Sequence, residues 1–402
     1  MRKILFALLV FASFLTTAAH AIEAKKAFSV KIIPTRAVNL EDQFRGILPN
    51  RPPFVPVLTQ VSCGEPFEIA VFFAGATIRD RAIKLDGKIV MTDANGKKTE
   101  IPFKTEIPKA SGDVSGVFLL PQSLRVICEP DDPKGLMLFE VELTDRFSGK
   151  TANASASVEY GDPAVPKPDA KAFDKVGSYY RAPCPEYIVP AFREFLANLP
   201  KQKKREKANF NPLPQLAFFY FLLKENPQCV PAFAELFKTL HGEEKYMAGI
   251  VMAFVSEEAA KCLSPEQRKA IREQFREKDP FSFEKAVEAW QLDVCWAEFL
   301  VRGTKAPVMK IVNAMSLASD SVTIPEFKKI AKPTTQDRRK LMNGLTVMAA
   351  QWSLGSLVKS HPLIFYYVEA ALSRGEVKDP VAAILAAKAV GIPVDVPKKK
   401  TP

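Results

Sequence analysis

The sequence predicts a chain in two parts, a β-sandwich over residues 28–160 followed by an α-helical, repeat-like array over residues 186–392. Three observations carry this. Through the first part apolar and polar residues alternate with a period of two, as strands with one buried and one wet face require. From about Glu186 helix-capping signals and a helical period replace that alternation. Between them, residues 161–185 are rich in Pro, Lys and Asp and hold no apolar period, which reads as a stiff linker.

Ahead of both parts stands "MRKILFALLVFASFLTTAAHA". Arg2 and Lys3 make a positive start, Ile4 to Phe14 an apolar run, and Ala19-His20-Ala21 a small-x-small motif. This reads as a secretory signal peptide, residues 1–21, cut after Ala21, because the run is shorter than the ~20 residues a membrane span needs. The expected location is periplasmic or secreted, with no transmembrane span after cleavage. About 380 residues then remain, room for two or three domains.

In the first part, "PFEIAVFF" puts Phe67, Ile69, Val71 and Phe73 on one face, and "TANASASVEY" alternates strictly from Thr151 to Tyr160. Asn95-Gly96 in "IVMTDANGKKTEIPF" supplies the positive φ angles of a tight hairpin turn. "LMLFEVELTDRFSGK" is a strand running into a Ser148-Gly149 turn before the last strand. Short strands at this spacing, with no helical pattern among them, make a sandwich. With its Gly64-Glu65-Pro66 strand opening and its later "VELTDRFSGK" hairpin, this part resembles the immunoglobulin-like modules common in bacterial exported proteins. The resemblance implies fold, not function.

Cys63 and Cys128 are the cysteines of this part, and each adjoins a strand. An exported chain permits disulfides. Pairing these two would close a loop of about 65 residues and stabilise by ~4 kcal/mol in the chain-entropy model; two buried thiols are the alternative. The other cysteines are Cys184, Cys229, Cys262 and Cys295, with no CxxC and no zinc-ligand spacing. Past residue 21 the histidines are His241 and His361, too few for a metal site, and no cofactor is expected.

In the second part, Ser264, Pro265 and Gln267 form a capping box, "DPFSFEKAVEAWQLDVCWAEFLVRG" reads as one long helix ended by Gly303, and Pro307 opens the next. Three segments repeat an outline: an aromatic residue (Tyr220, Trp296, Trp352) ten or eleven residues before a proline (Pro231, Pro307, Pro362), with a helix on either side. Stacked α-hairpins of this kind build helical arrays. Trp296, Phe299, Val308 and Ile311, then Trp352, Ser353, Leu354, Ser356, His361 and Pro362, make this part similar to a family of bacterial exported or envelope proteins. That family carries "WxxFxxTGxxxxVxxI" and "WSLxSxxxxHP"; the Thr-Gly of the first is Arg302-Gly303 here. The resemblance implies fold and location only. Trp296, Phe299, Trp352, His361 and Pro362 are thus expected as a packing signature, with the His361 ring bonding free carbonyls at a helix C-terminus.

On a helix from Phe283 to Arg302, Glu284, Glu288, Gln291, Glu298 and Arg302 form a polar stripe with apolar flanks, Trp296 lying on a flank. Cys295 falls inside the stripe, and Asp293 projects away from it into the expected core. A buried carboxylate needs donors or a raised pKa, so Asp293 is the weak catalytic candidate. The uncharged run Leu341 to Val358 is too polar for a membrane span and reads as a central buried helix, with Gly and Ala permitting close approach.

The formal charge of +11 is not focused into a stripe. "KQKKREK" and the tail over residues 393–402 are its runs, solvated or touching an anionic envelope polymer. No nucleic-acid module and no G-x-S-x-G, Walker, H-E-x-x-H or G-x-G-x-x-G motif occurs. The chain therefore reads as an exported, non-enzymatic binding or scaffold protein of the bacterial envelope, its helical part holding a partner peptide or protein. The alternative is an envelope hydrolase on glycan or peptide, with acids of the helical part.

Overall fold

Alternation and capping signals together dictate most of the architecture. A computed structural model of the chain describes residues 27–36, 40–48, 51, 53–108, 116–121, 123–162, 171–206 and 211–393. The residues read as a signal peptide, and all but the first of the basic tail, lie outside these. The chain forms two units, residues 1–37 with 49–163, and residues 38–48 with 164–402.

The first unit is built of strands: β1 (Ser29–Thr35), β2 (Gln60–Ser62), β3 (Pro66–Ala74), β4 (Ala82–Thr92), β5 (Lys98–Pro108), β6 (Val117–Leu119), β7 (Leu124–Ile127), β8 (Gly135–Asp145) and β9 (Thr151–Gly161). They form two sheets, one ordered β1-β3-β6 with β7 also on β3, the other β2-β9-β8-β4-β5. Apart from the parallel β2–β9 pair, these pairings are antiparallel. Phe67, Ile69, Val71 and Phe73 of β3 are buried together with Ile83, Phe139 and Val158 of the other sheet in one apolar cluster. Phe67 meets Phe139 edge-on at 6.0 Å. At the β4–β5 turn Gly96 alone of the Asn-Gly pair has positive φ, 83°. Asp93 Oδ1 closes that turn instead, accepting from the Asn95 and Lys97 amides at 2.9 Å each. At the β8–β9 turn Gly149 takes φ 70°.

The second unit is helical: α1 (Leu40–Gly46), α2 (Ala172–Val176), α3 (Ile188–Glu206), α4 (Leu213–Glu225), α5 (Val230–Thr239), α6 (Gly242–Val255), α7 (Glu257–Ala260), α8 (Pro265–Gln274), α9 (Ala289–Arg302), α10 (Lys305–Ala314), α11 (Ile324–Phe327), α12 (Thr335–Leu357), α13 (Pro362–Ser373) and α14 (Pro380–Val390). The expected capping box on Ser264 is present, and helices flank Pro231, Pro307 and Pro362 as the repeated outline requires.

Three expectations are corrected. Residues 28–160 are not free of helix: α1 falls among them and belongs to the helical unit. The second half of the segment read as linker is structured, because Val176, Tyr179 and Tyr180 are apolar enough to enter the helical cores. The long helix starts at Ala289, not near Phe283. Glu288 and Gln291 form its capping box, and Asp279 pins the preceding loop by accepting from the Phe281 amide at 2.9 Å and the Tyr220 hydroxyl at 2.6 Å.

Candidate functional site

Helix α12 has two unlike faces. Asn343, Thr346, Val347, Ala350 and Leu354 are buried on one. On the opposite face, half a turn away at 100° per residue, Leu341, Leu345, Met348 and Trp352 follow at spacings of four, three and four. That stripe is only partly covered: Leu341 and Leu345 are half-buried, Met348 is 54% and Trp352 76% exposed, and Ile324 of α11 (41%) lies beside Met348. Trp352 was expected to be packing, and the structure contradicts this. The uncharged run 341–358 is amphipathic in burial although not in charge, so its sidedness was hidden; the four-three-four spacing was the signal that could have shown it.

At the upper end of the stripe Val322, Ile324, Leu341, Gly344, Leu345 and Met348 line a cavity of about 120 Å³. Gly344 makes it possible. A Cβ there would lie 2.5 Å from the Val322 carbonyl oxygen, so only glycine lets this segment lie against α12. An apolar cavity of roughly 150 Å³ takes a benzene ring, so this one has room for a single aliphatic side chain.

The other signature residues converge elsewhere. Trp296 (5% exposed) meets Phe299 edge-on at 5.9 Å, and Phe299 meets His361 at 5.7 Å and Tyr180 at 5.2 Å. His361 does not bond helix carbonyls with its ring. Its Nδ1 pairs with the Tyr180 hydroxyl at 2.9 Å, while Arg181 Nε donates to that same oxygen at 3.1 Å. Burial, aided by the Arg181 charge, pushes the imidazole down to about 4, so it is neutral and accepts from the tyrosine. Pro362 sits at the first position of α13, where its missing amide costs nothing. Every group here is used in packing.

Asp293 does not enter the core; it is exposed, although the protein atoms crowding its carboxyl displace enough water to raise its pKa. No other titratable group contributes to that rise. Cys295, expected in a polar stripe, is buried, and burial pushes its thiol up to about 12. The charged side of α9 faces protein: Arg302 donates to Glu225 of α4 and to Glu298, each at 2.6 Å, and Lys310 of α10 lies 3.6 Å from Glu298. Cys63 and Cys128 are neighbours, the Gly64 amide donating to the Cys128 carbonyl at 2.8 Å; neither is in a disulfide, and the Cys128 thiol donates to Met137 Sδ at 3.9 Å.

No family model and no curated protein matches the chain. Among solved structures it has a likeness to a family 123 glycoside hydrolase from Clostridium perfringens, at 11% identity and TM-score 0.23 over 44% of this chain and 36% of that one. A second likeness is to the CARDB domain of a Pyrococcus furiosus protein, at 12% identity and TM-score 0.18 over 34% of this chain and 88% of the domain. The chain thus spans about a third of the hydrolase's length. At such scores neither likeness bears on fold or function. Among the described residues no group of His, Cys, Asp and Glu is arranged to hold a metal ion, and no helix is long and apolar enough to cross a membrane.

Proposed function

We propose that this chain is an exported binding or scaffold protein of the bacterial cell envelope that holds a polypeptide partner on the exposed face of α12. Its β unit is an immunoglobulin-like module and its helical unit a repeat-like array. One observation carries the reading: a tryptophan 76% exposed at the end of an apolar stripe that leads into a side-chain-sized cavity. Apolar clusters of this kind mark interaction sites, and buried aromatic anchors dominate interface energies. A recess for one side chain, continued by a stripe at helical spacing, matches the knobs of a helix laid in a groove. The exported location rests on residues 1–21 read as a signal peptide, and N-terminal sequencing of the mature protein should begin at Ile22.

The test is site-specific photocrosslinking in the intact cell. A photoreactive phenylalanine at position 352 should give a discrete polypeptide adduct. The same group at exposed Lys269 on α8 should not, and Met348→Glu should abolish the adduct at 352. Equal adducts at both positions would remove the docking face.

A further inference from the structure

We propose that the polypeptide held on α12 is an acidic amphipathic helix; this rests on the docking reading above and specifies the partner's chemistry. Around the cavity the chain reads "EFKKIAKPTTQDRRK", Glu326 to Lys340. Lys328, Lys329, Lys332, Arg338, Arg339 and Lys340 lie within it, Lys328 four residues past Ile324 of α11 and Arg338 three residues before Leu341 of α12. None of these six cations is in an ion pair or a side-chain hydrogen bond among the described residues.

The two acids of the segment are held in local caps, and each also feels one of the cations, Glu326 the charge of Lys329 and Asp337 that of Lys340. Glu326 accepts from the Thr323 amide at 2.7 Å and hydroxyl at 2.8 Å. Asp337 accepts from the Thr334 amide at 2.9 Å and hydroxyl at 2.7 Å. Both are capping boxes, and these bonds hold each carboxyl below its ordinary value. Six cations against these two acids leave residues 326–340 with a net charge of +4, to which the N-terminus of α12 adds its own partial charge. A basic or neutral partner leaves that charge unanswered, whereas a partner with Glu and Asp flanking its apolar knobs answers it and is steered to the site. The four-three-four spacing of Leu341, Leu345, Met348 and Trp352 is matched by another helix with apolar residues at i, i+4 and i+7.

A displayed library of designed helices tests this on the full chain. Leucines are fixed at i, i+4, i+7 and i+11, and the flanking positions vary between Glu and Lys. On the wild type, Glu-rich helices should be enriched at least about tenfold over Lys-rich ones, and added salt should erode the enrichment. Trp352→Ala should abolish it. Arg338→Glu with Arg339→Glu should reverse the Glu-over-Lys preference, and Lys328→Glu with Lys329→Glu should weaken it, each with an unchanged circular dichroism spectrum. Helices that bind Trp352→Ala as well as wild type would overturn the docking face itself. Helices lost on Trp352→Ala but indifferent to Glu or Lys would overturn only the acidic partner. If no helix is enriched while phosphatidylglycerol vesicles retain the wild type and not Trp352→Ala, the face is a membrane surface and the proposal fails.

Discussion

Gly303 shows how one residue serves two purposes. Its φ of 63° ends α9 in the left-handed region, and a Cβ there would lie 2.7 Å from the Tyr180 ring. Its carbonyl also accepts the Tyr367 hydroxyl at 2.5 Å. Gly303→Ala should therefore cost about 1–3 kcal/mol in denaturant melts, more than a helix-end glycine with open space around it, such as Gly391. Trp296→Ala should cost roughly 3–5 kcal/mol, the usual result of emptying a large core position. Trp296→Phe should cost much less, because the indole Nε1 is buried without a hydrogen-bond partner and phenylalanine removes that polar atom. Asp293→Asn, at an exposed site, should stay within about 0.5 kcal/mol of wild type. His361 adds a pH dependence. Its pKa falls from 6.5 unfolded to about 4 folded, so the neutral form is the native one. The contribution is complete above pH 6.5 and is lost as pH falls from there toward 4, up to about 3 kcal/mol in all. Urea melts at pH 7 and pH 4.5 should show a smaller loss in His361→Gln than in wild type; equal losses would mean the imidazole is not the group titrating.

At the scale of elements, what could be read in the sequence was whatever depends on near neighbours. Strand alternation in β9, the glycine turns at 96 and 149, the Ser264 box and the stop at Gly303 are all local, and all stand in the structure, whereas β3 is buried on both faces from Ile69 to Ala74 because its outer face is covered as well. Sidedness of a helix is not local, since it depends on which neighbours arrive. Glu298 and Arg302 look like a wet stripe until Glu225 and Lys310 are brought against them from α4 and α10. Trp352 looks like core until α12 is covered on one face only. Its exposure predicts that Trp352→Ala changes stability by less than about 0.5 kcal/mol while Trp296→Ala does not, a contrast that thermal melts of the two variants would settle. The same reasoning reaches the β2–β3 turn, where Cys63 is exposed and burial raises the Cys128 thiol to about 11. Such a thiol attacks slowly, so exchange with an oxidised glutathione-type disulfide should begin at Cys63 and close onto Cys128. Thiol titration should then fall by two groups in wild type. An unchanged loss in Cys63→Ser would place the reaction elsewhere.

At the scale of the whole molecule, the order of the chain and the order of its cores differ at one point. Helix α1 precedes most of the strands yet completes the helical unit. Leu40 and Gln43 are buried, Ile47 belongs to the cluster around Trp296 and Tyr367, and Gly46 lies so close to the Tyr367 ring that a Cβ would stand 2.8 Å from it. Arg374 fastens the segment, donating to the Arg45 carbonyl at 2.7 Å and the Ile47 carbonyl at 2.6 Å. Seven residues cannot hold a helix in water by themselves, so α1 forms because that groove receives it. A fragment of residues 171–393 would expose the apolar floor of the groove and leave the Arg374 guanidinium without these two acceptors. It should melt below the helical unit of the full chain, and a synthetic peptide of residues 40–48 should raise its melting temperature in a dose-dependent way. The same peptide with Ile47→Asp and Leu40→Asp should not. If the fragment melts at the full-chain temperature and ignores the peptide, α1 adds nothing to the stability of that core.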